Sequence, residues 1–72
     1  MADISNVRAE DVAAGKVDVN ALQGPYVFVW AGWPGEKGWD ALARAANLMA
    51  KYGWRARGYS DRTILMEKQT AL

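Results

Sequence analysis

The residues with the most chemical potential lie between positions 29 and 42, VWAGWPGEKGWDAL, which hold three of the four tryptophans of the chain. Glycines recur there at every third position, as Gly32, Gly35 and Gly38. Indole rings can stack on a flat partner, and glycine N–H groups beside Lys37 could hold a phosphate between a strand and a helix. The loop matches neither GxxxxGKS/T nor GxGxxG. We therefore favour glycines that relieve crowding around the rings over an anion site.

The composition argues against catalysis. The chain has no cysteine and no histidine, which are among the commonest nucleophilic, acid-base and metal-binding side chains. Ser5 and Ser60 therefore have no histidine to activate them. Glu10 and Asp11 are adjacent carboxylates that point apart on a helix, unlike the pair of a hydrolase. We predict a protein that is not an enzyme and that has no catalytic residue, cofactor or metal site.

Three of the four tryptophans have a structural role to fill. Trp30 lies in an apolar strand, Trp39 opens the predicted main helix and Trp54 follows its end. A buried aromatic side chain removes about 150–250 Å² from water, which a small core needs. Trp33 has no such role, because it lies between a glycine and a proline in a loop. We predict that Trp33 is at least half exposed and that the other three are buried.

Charge is distributed unevenly along the chain. Residues 1–36 include two basic and five acidic residues, whereas residues 37–72 include seven basic and three acidic ones. The basic half could bind an anionic partner or an acidic half of this chain or another, and a solvated outer sheet face is the alternative. The predicted binding residues are Trp33, Lys37, Arg55, Arg57, Tyr59 and Arg62.

Apolar periodicity outlines the elements that position these residues. YVFVWA, residues 26–31, predicts a strand with apolar side chains on both faces. Such a strand is covered on each side, or its second face is left for a partner. WDALARAANLMAKYG, residues 39–53, predicts an amphipathic helix that ends at Gly53. Its apolar face is predicted to hold Leu42, Ala45, Ala46, Met49 and Tyr52.

The segments WRARGY and TILMEK predict two strands of a hairpin around SDR. A three-residue loop sorts the arginines and the apolar side chains onto different faces. That register pairs Arg55 with Glu67, Ala56 with Met66 and Gly58 with Ile64. The predicted fold class is α+β, a small β-α-β-β sheet with one main helix packed on one face.

The first 23 residues are predicted to form an N-terminal arm or short helix of the same domain, and residues 24–72 its α+β body. Ser5 or Asn6 can cap a helix that runs to about Ala14 and ends at Gly15. KVDVN, residues 16–20, alternates polar and apolar residues, which is typical of an edge strand or an extended arm.

The stretch from the main helix to the last strand, ALARAANLMAKYGWRARGYSDRTILMEK, resembles a family of short bacterial domains known as domain-of-unknown-function family 4177. The resemblance rests on the amphipathic helix, the Gly53-Trp54 pair and the closing ILMEK, and it covers residues 26–68 if YVFVW is the first strand. Arg55 stands where family members often have an acidic residue. The resemblance implies the strand order given above and carries no activity with it.

The length of the chain favours a protein that binds a partner over one that is stabilised by its own core alone. A chain of 72 residues buries only about 60% of its unfolded surface, so aromatic packing or a partner chain must supplement the core. We predict a protein-interaction module that self-associates as a homodimer through the apolar strand or a sheet edge. Single-stranded nucleic-acid binding through Trp33, Tyr59 and the arginine face is the alternative, and an anion site at residues 32–38 ranks third.

The predicted compartment is the cytoplasm. No segment approaches the roughly 18 apolar residues of a membrane span. The N-terminal MADISNVRAE has neither the basic start nor the apolar stretch of a signal peptide.

Overall fold

The computed structural model describes residues 4–22 and 25–69, and it gives Ile4 and Ser5 as backbone alone. Its helices and strands are β1 Ile4–Arg8, α1 Ala9–Ala13, β2 Tyr26–Trp30, α2 Gly35–Ala50, β3 Trp54–Ser60 and β4 Thr63–Lys68. The strands form one sheet in the order β1-β2-β4-β3. β1 runs parallel to β2, and the other neighbours are antiparallel. The α+β class, with one main helix on one face of the sheet, is confirmed.

The two helices cover the same face of the sheet and enclose the core with it. Val27 and Val29 of β2 have no exposed surface, and Met66 of β4 is 1% exposed. Burial of each such side chain stabilises the fold by about 1.5–3 kcal/mol. The core consists of Ala9, Val12, Val19, Val27, Val29, Ala41, Leu42, Ala45, Met49, Trp54 and Met66.

The N-terminal segment differs from the prediction of a helix that begins at Ser5 or Asn6. Residues Ile4–Arg8 form β1, a fourth strand, and α1 begins only at Ala9. The pairing places Asn6 opposite Phe28 of β2. This long-range pairing overrides the weak local preference of the segment. The end of the helix agrees with the prediction, because Gly15 has φ +78°.

The predicted edge strand or arm at residues 16–20 is wrong. Val19–Ala21 form one turn of 3-10 helix, whose N-cap Asp18 accepts a hydrogen bond from the Asn20 N–H at 3.1 Å. An aspartate at this position stabilises a turn by supplying an acceptor to a free N–H group. The predicted boundary between residues 23 and 24 lies outside the described residues.

The main helix begins four residues earlier than predicted. α2 spans Gly35–Ala50, with an extended Pro34 as its N-cap residue. Glu36 lies in the first turn, where its negative charge interacts favourably with the positive end of the helix dipole. Trp39 consequently lies one turn inside the helix rather than at its start.

The predicted end of the helix is close to the observed one. Ala50 is the last helical residue, and Gly53 follows in the left-handed region with φ +88°. Trp54 then enters the core and is 2% exposed. Tyr52 lies beyond the helix and is 42% exposed, so its predicted place on the buried face is wrong.

The hairpin of β3 and β4 has a two-residue loop rather than the predicted three. Asp61 and Arg62 have φ 47° and 61°, and a type I′ turn requires positive φ at both central residues. A β-bulge between Ala56 and Gly58 compensates for the shorter loop. Without the bulge, the shorter loop would move the apolar side chains of one strand to the other face.

The bulge preserves two of the three predicted pairings. Arg55 lies opposite Glu67 and Ala56 opposite Met66, as predicted. Gly58 lies opposite Leu65, so the predicted pairing with Ile64 is wrong. The extra residue of β3 is Arg57, which is exposed.

The tryptophans divide differently from the prediction. Trp54 is buried as predicted, and Trp33 is 48% exposed, just short of half. Trp30 and Trp39 are 40% and 50% exposed, so their predicted burial is wrong. Trp30 points to the face of the sheet that the helices leave uncovered. The Trp39 ring contacts the Arg62 guanidinium, which lies 5.4 Å from the ring centre.

Candidate functional site

The predicted binding residues do not form one surface. Trp33 and Lys37 lie together on the helix layer, where they line the same hollows. Arg57 and Tyr59 line a hollow on the sheet layer, and Arg55 lies nearby opposite Glu67. The predicted residues therefore fall on two separate candidate surfaces.

The first surface is the side of the sheet that faces away from the helices, which we call the open face. β2 places Tyr26, Phe28 and Trp30 on it, because strand side chains alternate between faces and Val27 and Val29 point into the core. The three rings follow one another at about 6.8 Å along the strand. This column of aromatic residues is the signal in YVFVWA that sequence reasoning assigned to the core instead of a surface.

Gly58 leaves a hollow beside this column. It lies opposite Leu65, which in turn lies opposite Phe28. Because Gly58 has no side chain, both apolar side chains stay uncovered. The hollow has a volume of about 370 Å³. Its lining residues are Phe28, Arg57, Gly58, Tyr59, Ser60, Thr63 and Leu65.

Positive charge borders the hollow. The Arg57 guanidinium donates a hydrogen bond to Glu67 Oε1 at 3.3 Å. Arg55 lies opposite the same Glu67 and is exposed. Glu67 is bound to Arg57, and Arg55 adds a second positive charge, so this edge of the open face has an excess of positive charge.

The second surface begins at Trp33, whose backbone is fixed by Glu10. The Glu10 carboxylate accepts hydrogen bonds from the N–H groups of Gly32 and Trp33, both at 2.8 Å, and from Arg8 Nε at 3.1 Å. Glu10 itself is 7% exposed. Sequence reasoning missed this role, because contacts 22 and 23 residues apart leave no local pattern.

The surroundings of Glu10 favour its charged form. Burial alone would raise the pKa of Glu10, but the N–H groups of Gly32 and Trp33 and the charge of Arg8 outweigh it, so that the pKa lies below its usual value. The carboxylate is therefore ionised at neutral pH and holds the loop through charge-assisted hydrogen bonds.

Arg62 holds the same loop from the other side. Its guanidinium donates hydrogen bonds to the carbonyl oxygens of Trp33 and Gly35 and lies 5.4 Å from the centre of the Trp39 ring. Its predicted place beside Arg55 and Arg57 is therefore wrong, because it fastens the hairpin to the loop. Gly38 makes room for this contact, since a Cβ there would overlap the Trp33 carbonyl oxygen.

From Trp33 a continuous depression runs between α1 and α2, which we call the furrow. It consists of three adjoining hollows of about 310, 280 and 290 Å³. Trp33 and Lys37 line the first two, and Ala13 and Arg44 line the last two. The remaining lining residues are Glu10, Ala14, Pro34, Asp40, Ala41, Asn47, Leu48 and Lys51.

Comparison of the chain with protein-family models, with curated proteins and with solved structures finds no match. The resemblance to family 4177 stays a prediction. Within residues 4–22 and 25–69, no group of three or more acidic side chains is placed to hold a metal ion. In the same part of the chain, no helix has the length and apolar character needed to cross a bilayer.

Proposed function

We propose that the protein is a non-catalytic protein-interaction module that self-associates as a homodimer through its open face. One observation carries the proposal: the helices cover one side of the sheet, and the other side presents Phe28 and Leu65 between the rings of Tyr26 and Trp30. Protein interfaces combine an apolar, aromatic centre with an arginine-containing polar rim. Arg55 and Arg57 supply such a rim. The proposed location is the cytoplasm.

The strand arrangement favours the face over an edge as the contact. β2, the most apolar strand, lies between β1 and β4, so its backbone groups are paired on both sides. Of the two predicted contacts, the apolar strand or a sheet edge, this arrangement supports the strand, through its open face. Of the two edge strands, β3 is interrupted by a bulge, and bulges discourage pairing with another chain.

The solution mass tests the proposal. We expect light scattering to give a dimer that dissociates on dilution from millimolar to micromolar concentration. Leu65→Lys and Trp30→Lys place a charge on the open face and should shift the protein to monomer. Ala43→Lys adds the same charge at an exposed position of α2 and should leave the dimer intact. A wild-type monomer over the whole concentration range would refute self-association.

Single-stranded nucleic acid is the second candidate for the open face. The column of three rings and the excess positive charge at Arg55 and Arg57 favour it, because bases stack on aromatic rings while basic groups contact phosphates. Self-association has to bring these like charges of two copies to one interface, whereas an anionic strand neutralises them.

Fluorescence separates the two candidates. If an oligothymidylate binds the open face, it should quench Trp30, and added salt should reverse the quenching. Trp33→Phe should retain the quenching, whereas Trp30→Phe should lose most of it. A monomer that shows no quenching at low salt would exclude both candidates for this face.

A further inference from the structure

The furrow has the geometry and the charge of a second docking site. We infer that it binds an extended acidic peptide segment of a partner protein. The inference is independent of the open face, because the furrow lies on the helix layer, on the other side of the sheet.

Three basic side chains line one edge of the furrow at intervals of seven residues. Lys37, Arg44 and Lys51 are all exposed, and residues seven apart lie on the same side of a helix, about 10.5 Å from one another. Arg44 is bound to Asp40, with Nε and Oδ2 2.7 Å apart. Within the described ranges, Lys37 and Lys51 have no carboxylate partner at salt-bridge distance. The two carboxylates that line the furrow, Glu10 and Asp40, are bound to Arg8 and Arg44. Lys37 and Lys51 therefore give the furrow unbalanced positive charge at both ends.

The floor of the furrow is apolar and shallow. Ala13, Ala14 and Ala41 contribute methyl groups, and Leu48 is partly buried beside them. Small side chains leave room for those of a bound segment, and Trp33 supplies one large apolar contact at the end near Lys37. This surface suits a segment in which pairs of small apolar side chains separate the acidic ones.

The binding geometry is set before any partner arrives. The Trp33 N–H donates a hydrogen bond to the Glu10 carboxylate, and its carbonyl oxygen accepts one from Arg62. The backbone of Trp33 is therefore fixed on both sides, although its ring is 48% exposed. A fixed contact residue loses less conformational entropy on binding than a mobile one. The exposed Trp33 ring on a fixed backbone is therefore well suited to contact a binding partner.

Length and the shortage of stacking rings favour a peptide over a nucleic acid. The stripe from Lys37 to Lys51 measures about 21 Å along the helix, which a segment in the polyproline II conformation spans with about seven residues. Every third side chain of such a segment lies on the same side, so acidic side chains at that spacing would meet the three cations. A nucleic acid fits less well, because the furrow offers only the Trp33 ring for stacking bases.

A labelled heptapeptide tests the inference. It has glutamate at its first, fourth and seventh positions, alanine or leucine between them, and fluorescein at one end. We expect saturable binding to the whole protein by fluorescence anisotropy at low salt. Lys37→Glu and Lys51→Glu should each weaken binding by about fivefold or more. Lys68→Glu, the same charge reversal outside both surfaces, should change it by less than about twofold.

Amide signals in nuclear magnetic resonance spectra locate the bound peptide. Signals of Ala13, Ala14 and Leu48 should shift on addition of the heptapeptide, whereas those of Phe28 and Leu65 should not. Equal weakening by Lys68→Glu, or shifts confined to the open face, would overturn the inference. The same holds if an oligothymidylate of similar length displaces the peptide or binds the furrow more tightly. Leu65→Lys should leave peptide binding unchanged, so failure of the proposed dimer is a separate result.

Discussion

The five residues of β2 divide between a buried face and an exposed face of the sheet. Val27 and Val29 have no exposed surface, whereas Trp30 on the open face is 40% exposed. The buried side holds compact aliphatic residues because α2 packs closely through Ala41 and Ala45, which are also buried. The larger rings are all on the other side. Size and hydrophobicity therefore do not decide burial here; the presence of a covering helix does.

This contrast explains why the sequence misled us about the rings. YVFVWA correctly predicts a strand, but apolar residues on both sides fit a strand covered on each side as well as one whose second face is left for a partner. The number of helices decides between a covered face and an uncovered one. One main helix and the five-residue α1 suffice for a single face, so Trp30 had to remain partly in water.

The largest expected difference between the faces lies in two neighbouring residues of β4. Met66→Ala should lower the free energy of unfolding by about 3 kcal/mol, because it leaves a cavity in the core. Leu65→Ala on the open face should cost about 1 kcal/mol or less in the monomer, since no layer packs over it. Urea denaturation at low protein concentration measures both. Equal losses would show that the open face is covered in solution.

The second test concerns the attachment of the loop to the helix layer. Gly38→Ala should lower the free energy of unfolding by about 2–3 kcal/mol, because its Cβ would overlap the backbone of Trp33, which cannot move aside like a flexible side chain. Gly58→Ala is the matched control. A Cβ there meets no atom within 4 Å, so the change should stay within about 0.5 kcal/mol.

The third test uses low pH to protonate the Glu10 carboxylate. Its pKa in the folded protein lies below the ordinary value of 4.5. The stabilisation by its charge is therefore complete above that value and is lost as pH falls through the folded pKa. Glu10→Gln should lower the free energy of unfolding by about 1–2 kcal/mol at neutral pH. Denaturation curves should converge for the two proteins in acid; a constant difference from neutral pH to about pH 3 would contradict this role.

The smallest expected effect is at the surface of α2. Asp40→Asn removes the salt bridge to Arg44, both side chains of which are more than half exposed. Such exposed pairs stabilise a helix by about 0.3–0.5 kcal/mol. Thermal unfolding should change little, and high salt should abolish the difference. A loss above about 1 kcal/mol would mean that Asp40 has another partner in the furrow.

Residue spacing along the sequence correctly predicted the features that depend on one or two neighbouring elements. The helix face of Leu42, Ala45 and Met49, the stop at Gly53 and the pairing of Ala56 with Met66 all agree with the structure. The α+β class follows from them. These features depend on residue spacing within one or two neighbouring elements, which a sequence displays directly.

Long-range contacts account for what the sequence did not reveal. β1 exists because it pairs with β2, 22 residues away in the register of Ile4 and Tyr26. The loop around Trp33 depends on Glu10 and Arg62, which approach from distant parts of the chain. The bulge at Arg57 accompanies a two-residue turn that lacks the usual glycine. Each of these features depends on contacts between separate parts of the chain, so no short window of sequence contains it.

Arg62 has one further consequence. Arg62 lies in the hairpin turn with a backbone in the left-handed region, and its guanidinium donates a hydrogen bond to the Trp33 carbonyl oxygen. This one side chain therefore connects the hairpin turn to the Trp33 end of the furrow. A ligand that binds the Trp33 ring where it is already held leaves this bridge unmoved, and with it the hairpin that borders the hollow at Gly58. Linkage is reciprocal, so binding at the open face should in turn leave affinity at the furrow unchanged.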